Sequence, residues 1–263
     1  MSRFYFRPLI IVGLMNMAAF LELPSVSQAG LTVESGWDLM KTLPGTNFMG
    51  VDFTGVPLGT YDFGGSIGVK NVDVTDTIIH RLEQATAPSS EIDAQFGALQ
   101  LVTTAPTDAF GGPLDFYYVT LQSIHGGPVS TGTLTIDFNM PEPPGPPPTQ
   151  PVDGSFVSSF DLFFDIRMGS LSGPIVYSAE CPIIGSGEWS HYPPDRPVVE
   201  IPGVNVFLNG VDRGADFFPI GVIYEMLPGA GVHVVDTAPE PSTIVLLSVG
   251  AISMLAYGWR RRR

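Results

Sequence analysis

Four histidines and one cysteine are the side chains best suited to nucleophilic, acid–base or metal chemistry. The histidines are His80, His125, His191 and His233, and no two stand at the spacing of a metal-ligand pair. Cys181 has His191 nearby in sequence, but a thiolate–imidazole pair is made by the fold and not by sequence proximity. His191, Asp195, His233 and Asp236 all lie in the last third, and a fold that brings them together would make one set; the ordinary reading is loop and strand residues. Glu188-Trp189-Ser190-His191-Tyr192 mixes rings with polar groups, as sugar-binding surfaces do. The commoner use of such a Trp is burial in a core. Asn71, Asp73 and Thr75 repeat at every second position like the start of a calcium loop. The turn glycine and closing glutamate of such a loop are replaced by Asp76 and Leu82. No phosphate-binding glycine loop, His-Glu-x-x-His or Gly-x-Ser-x-Gly occurs, and Gly64-Gly65-Ser66-Ile67-Gly68 reads as a turn. Acid–base pairs among the 26 Asp and Glu residues cannot be picked out, because the fold sets their separation. No catalytic residue, metal or cofactor is assigned.

The elements that would position these residues read as β throughout. Thr133 to Asn139 alternates polar and apolar residues, as a strand with one wet face does. In Phe156 to Met168, Phe156, Phe160, Leu162, Phe164, Ile166 and Met168 fall on one side. Val157, Ser159, Asp161, Phe163, Asp165 and Arg167 fall on the other. Gly68 to Val74, Leu114 to Gln122 and Gly203 to Leu208 read as further strands, the last running into an Asn209-Gly210 turn. Gly221 to Met226 and Gly231 to Val235 flank Pro228-Gly229-Ala230 as a hairpin. Asp76 to Gln84 fits a short helix or a strand. The 30 Gly and 25 Pro suit the tight turns of an antiparallel β-sandwich-like single domain, expected over residues 30–237. Pro-rich residues 141–151 cannot carry a sheet and form a stiff loop between adjacent strands.

The two ends differ in kind from this middle. Arg3 and Arg7 precede an apolar run from Leu9 to Phe20, and Ser27-Gln28-Ala29 places small residues where signal peptidase reads. Residues 1–29 are therefore expected to be a signal peptide cut after Ala29. At the other end, Ser242 to Trp259 carries no charge, and as a helix it would span about 27 Å, close to the hydrocarbon thickness of a bilayer. Tyr257 and Trp259 suit the interface, and Arg260, Arg261, Arg262 and Arg263 mark the cytoplasmic side. Pro239 and Pro241 bracket Glu240 and hold Ala238 and Glu240 extended, in a form a protease can bind. Pro241 ends the tripeptide and the transmembrane helix follows directly over 242–259. Pro141-Glu142-Pro143 repeats the tripeptide, but no apolar run or arginine cluster follows it.

Pro239-Glu240-Pro241, the apolar run and the four arginines resemble the PEP-CTERM sorting tail of Gram-negative exported proteins, here residues 238–263. That resemblance implies recognition by exosortase, a membrane-embedded cysteine transpeptidase-like enzyme, and removal of the tail near the tripeptide. The body from Val51-Asp52-Phe53 to Gly231-Val232-His233 resembles the bodies of exported proteins carrying this tail, and that resemblance brings no known active site and no site residues. In the oxidising compartment so implied, one cysteine allows no internal disulfide, and Cys181 should be buried or unreactive. Six of the 12 Lys and Arg residues lie in the two ends, so the middle is more acidic than the whole chain's −14. Such a body repels nucleic acid and anionic lipid. The resemblance implies a transient inner-membrane stage, then the cell surface or the exopolysaccharide matrix of a biofilm. A structural or carbohydrate- or partner-binding role there is the leading expectation. A secreted hydrolase using paired carboxylates and a calcium-dependent adhesin are the alternatives.

Overall fold

The computed structural model describes residues 32–138, 153–194, 197–205 and 217–240. The signal peptide with Ala29, the 141–151 loop, Asp195, the Asn209-Gly210 turn, Pro241, the 242–259 helix and Arg260 to Arg263 lie outside the described residues. Among the described residues the regular elements are strands and one short 3-10 turn, Gln122–His125. In chain order the strands are β1 (Thr32–Val33), β2 (Gly36–Thr42), β3 (Asn47–Phe48), β4 (Val51–Gly55) and β5 (Gly59–Asp62). There follow β6 (Val69–Asp73), β7 (Thr77–Arg81), β8 (Ala85–Thr86), β9 (Ser89–Thr103) and β10 (Tyr117–Leu121). The last are β11 (Thr131–Phe138), β12 (Gly154–Met168), β13 (Ile175–Ser190), β14 (Phe218–Met226) and β15 (Gly231–Thr237).

The fold is all-β and antiparallel, but it is an eight-strand barrel and not the expected sandwich. The wall runs β9, β10 with β11, β12, β13, β14, β15, β2, β7 and back to β9. Closure depends on two long strands. β9 and β12 flank one shared position, which β11 fills at one end and β10 at the other. Thr135 lies between Glu91 and Val157, while Tyr118 lies between Val102 and Arg167. Closing the sheet pairs every edge that a sandwich would leave open. Inward–outward alternation reads the same in either architecture, so the sequence pattern does not separate them.

A second double occupancy lies between β15 and β9. β2 and β7 bridge them near one end, and the short β3–β4 hairpin bridges them near the other. Asp76 sits where the two bridges part. Its backbone N–H donates to Met40 O (3.1 Å), and its carbonyl accepts from Gln100 N–H (2.9 Å). Its carboxylate accepts from Thr42 N–H (3.0 Å) and the Thr42 hydroxyl (2.6 Å).

Apolar side chains of the wall turn inward. Phe96, Phe160, Phe164, Leu121, Ile183 and Tyr224 are among the buried residues that fill the barrel. A smaller core lies outside it, where the β5–β6 hairpin and residues 198–204 cover β2, β7 and β9. Ile78 and Leu39 face this outer core while Ile79 and Met40 face the interior, as strand alternation requires.

Most expected strands are present, with three differences. The Asp76–Gln84 ambiguity resolves to strand β7. β10 begins at Tyr117 rather than Leu114, which is 73% exposed. Gly203 to Asn205 form a turn closed by Val204 N–H on Ile201 O, not a strand. Asp165 and Arg167 do lie on the outer side of β12 yet are buried there, paired with each other at 3.3 Å.

Candidate functional site

The polar groups inside the barrel come from alternate positions of three neighbouring strands. Asp38 and Thr42 on β2, Thr77 and Arg81 on β7, and His233 on β15 all point inward and are buried. Arg81 Nε donates to Asp38 at 2.9 Å, and Nη1 donates to Glu34 O. The guanidinium lies over the Phe217 ring at 5.0 Å. Burial lifts the Asp38 carboxyl to about 6 against the lowering pull of Arg81. Burial likewise raises Asp76 to about 6, opposed by its hydrogen bonds from Thr42 and Thr77.

Asp76, Thr77 and His233 form a chain. The Thr77 hydroxyl donates to Asp76 Oδ1 at 2.9 Å and lies 3.2 Å from His233 Nε2. A hydroxyl has one proton to give, so Nε2 carries its own proton and donates to Thr77. His233 is then neutral with a bare Nδ1, which has no hydrogen-bond partner among the described residues. Burial agrees, holding His233 down at about 4. Nearby, a cavity of about 20 Å³ is lined by apolar atoms including those of Phe48, Phe53, Leu101 and Phe164. That is room for one water at most, with no polar atom to hold it. The buried polar contacts of β2, β7 and β15 therefore brace the inside of the barrel.

The residues singled out from sequence are dispersed. His233 points into the barrel while Asp236, on the same strand, faces outward and accepts from Thr237 N–H. His191 lies at the end of β13, where its N–H donates to the Asp153 carboxylate at 2.7 Å. His191, His233 and Asp236 thus do not form one set, and no group of three metal-capable side chains occurs among the described residues. His80 stacks on Trp37 at 3.6 Å on the outer side, and burial lowers its pKa, with Arg81 adding to that. His125 is exposed in the 3-10 turn.

Cys181 is buried in the interior, and burial raises its thiol, as expected of an inert cysteine. Trp189 is fully buried against Phe138 and Phe217 and donates to Asp137 O at 3.2 Å, so it is a core residue and not a sugar platform. Asn71 and Asp73 bond each other, through Asn71 Nδ2 to Asp73 Oδ1 at 2.8 Å. Thr75 is buried, so the three oxygens do not share one face. Asp38 and Arg81 were not singled out at all. Their only trace in sequence is a charge at an inward position of a short alternating run, such as Thr77, Ile79 and Arg81.

The chain leaves the barrel along β15. Ala238 continues that strand, donating its N–H to Leu39 O and accepting from Val199 N–H, both at 2.9 Å. Ala238 is fully buried, which keeps it out of a protease's reach, while Glu240 is exposed. Val198 bridges Pro239 in antiparallel sense, and Glu240 N–H donates to Pro197 O at 3.0 Å.

An inward-packed antiparallel barrel continuing straight into Pro-Glu-Pro is a folded body bearing a terminal address. Residues 237–263 match the PEP-CTERM protein-sorting motif. The motif makes this an exported protein, transiently membrane-anchored, with exosortase as its processing partner. No curated protein and no solved structure matches the chain. Among the described residues no helix is long and apolar enough to cross a membrane.

Proposed function

We propose that the protein is a non-catalytic barrel of the cell surface or exopolysaccharide matrix, with a structural or carbohydrate- or partner-binding role. Signal peptidase would cut after Ala29, and exosortase would process the chain at Pro239, Glu240 and Pro241. The observation that carries this reading is the sorting motif at 237–263 joined to a barrel whose interior is filled. Binding then falls to the outer faces. One row across β9, β11, β12, β13 and β14 presents Glu91, Thr135, Val157, Ser186 and Ile223 side by side. The row offers one carboxylate, two hydroxyls and the exposed apolar side chains of Val157 and Ile223, a mixed surface that suits a hydrated polymer.

Intact mass of the mature protein, from cells with and without the sorting enzyme, tests the delivery. The mature form should begin at Gly30 and lack Arg260 to Arg263 only where the enzyme is present. Co-sedimentation of that form with the cells' own matrix polysaccharide tests the role. Retained terminal arginines in the presence of active enzyme would defeat the first part. A mature protein that neither sediments with polysaccharide nor captures a surface partner would defeat the second.

A further inference from the structure

Pro239 and Glu240, the described part of the sorting tripeptide, do not start free of the body. Glu240 N–H and Ala238 O are committed to hydrogen bonds with Pro197 O and Val199 N–H, and Pro239 bridges Val198 between them. Within the holding segment one side chain braces the backbone, alongside the Trp37 N–H that donates to Val204 O at 3.0 Å. Asn205 Oδ1 accepts from Ile201 N–H and Asn205 Nδ2 donates to Val199 O, each at 2.8 Å. Asn205 is buried, and Val199, Ile201 and Val204 pack with Ala238 and Leu39 in the outer core.

An enzyme that cuts or transfers a peptide draws it extended into its own groove and claims its backbone groups. Here part of that backbone is already claimed by residues 197–199. We infer that residues 197–205 are a clasp that withholds Pro239 and Glu240 from the processing enzyme, with Asn205 the positioning residue that sets how often it opens. This rests on the exosortase-sorting reading. Opening the clasp breaks only local contacts and leaves the barrel closed, so it occurs far more often than global unfolding. Processing of the folded chain then follows the open fraction of the clasp. The body would regulate its own release: a chain whose residues 197–205 have not yet docked loses its tail faster than a finished one.

The test uses the full-length chain produced together with its processing enzyme, with tail loss followed over time by intact mass. Asn205→Ala removes both side-chain hydrogen bonds, leaves a buried N–H and C=O unpaired, and should speed tail loss about tenfold. A second variant inserts Gly-Ser-Gly-Ser between Ala238 and Pro239. It frees the tripeptide without touching the barrel and should speed tail loss at least as much. Hydrogen exchange on the unprocessed chain gives a readout that a general loss of stability would not reproduce. In Asn205→Ala the amides of Val199 and Glu240 should exchange faster, while those of Phe160 and Tyr224 keep their protection. If the unmodified chain and the insertion variant lose their tails at one rate, the clasp is overturned while sorting stands. If all forms keep their tails beside an active enzyme, the sorting reading fails, and the clasp falls with it.

Discussion

Single side chains inside this barrel carry its largest electrostatic risks. Arg81 and Asp38 are both nearly inaccessible and 2.9 Å apart. Removing one member leaves the other buried without compensation, which costs far more than the pair itself contributes. Arg81→Met should lower stability by about 3–5 kcal/mol, and adding Asp38→Leu should restore most of it. Urea unfolding of the two single variants and the double one reads this directly. His233 and the two raised carboxyls act in opposite senses. His233 titrates near 4 when folded against 6.5 otherwise, so the stability it supports is present above about 6.5 and is lost as pH falls toward 4. Asp38 and Asp76 titrate near 6 when folded against 3.8 otherwise, so their protonation favours the fold as pH falls from about 6 to 3.8. His233→Gln removes only the first contribution. Its urea midpoint should therefore gain on the unmodified protein steadily between pH 7 and pH 4.

At the scale of elements, the split between the β2–β7 and β3–β4 bridges is the least regular part of the wall. The Asp76 carboxylate fills the space there, and it does so because the last residue of β4 has no side chain. A Cβ on Gly55 would lie 1.7 Å from Asp76 Oδ2. Gly55→Ala should therefore push Asp76 off Thr42 and Thr77, costing about 1–3 kcal/mol in urea unfolding. The strands themselves were largely legible from sequence. Thr133 to Phe138 and Phe156 to Met168 show their two faces by alternation alone. β2 was not, since Gly36-Trp37-Asp38-Leu39-Met40-Lys41-Thr42 has apolar residues on both faces. Trp37 and Leu39 face the outer core while Met40 faces the interior. A strand covered on both sides loses the alternation that reveals it.

For the whole molecule, the position of the ends relative to the barrel matters most. β15 runs down the wall beside β2 and delivers the tail at the end where β2 begins. β1, the first described strand, pairs with β8 between the end of β7 and the start of β9, which is the same end. The described chain therefore enters and leaves the barrel at one end, with residues 197–205 beside the exit. The Pro228-Gly229 turn lies at the opposite end. The acidity of the body is consistent with a barrel held at the membrane by its tail and not by its surface.

The sorting motif at the C-terminal end could be read from sequence, because hydrophobic length and flanking charge act locally and need no partner. Strand content was accessible in part, since alternation is a local property, but β2, β9 and β13 were not read from it. Closure into a barrel was not: it depends on β10 and β11 sharing one position between β9 and β12, a fact about pairing across long sequence separations. The Arg81–Asp38 and Thr77–His233 contacts, and the docking of residues 197–205 on the sorting tripeptide, were likewise decided only in three dimensions. Each joins groups dozens of residues apart or more, or turns on which face of a strand meets which neighbour, and neither is fixed until the sheet closes.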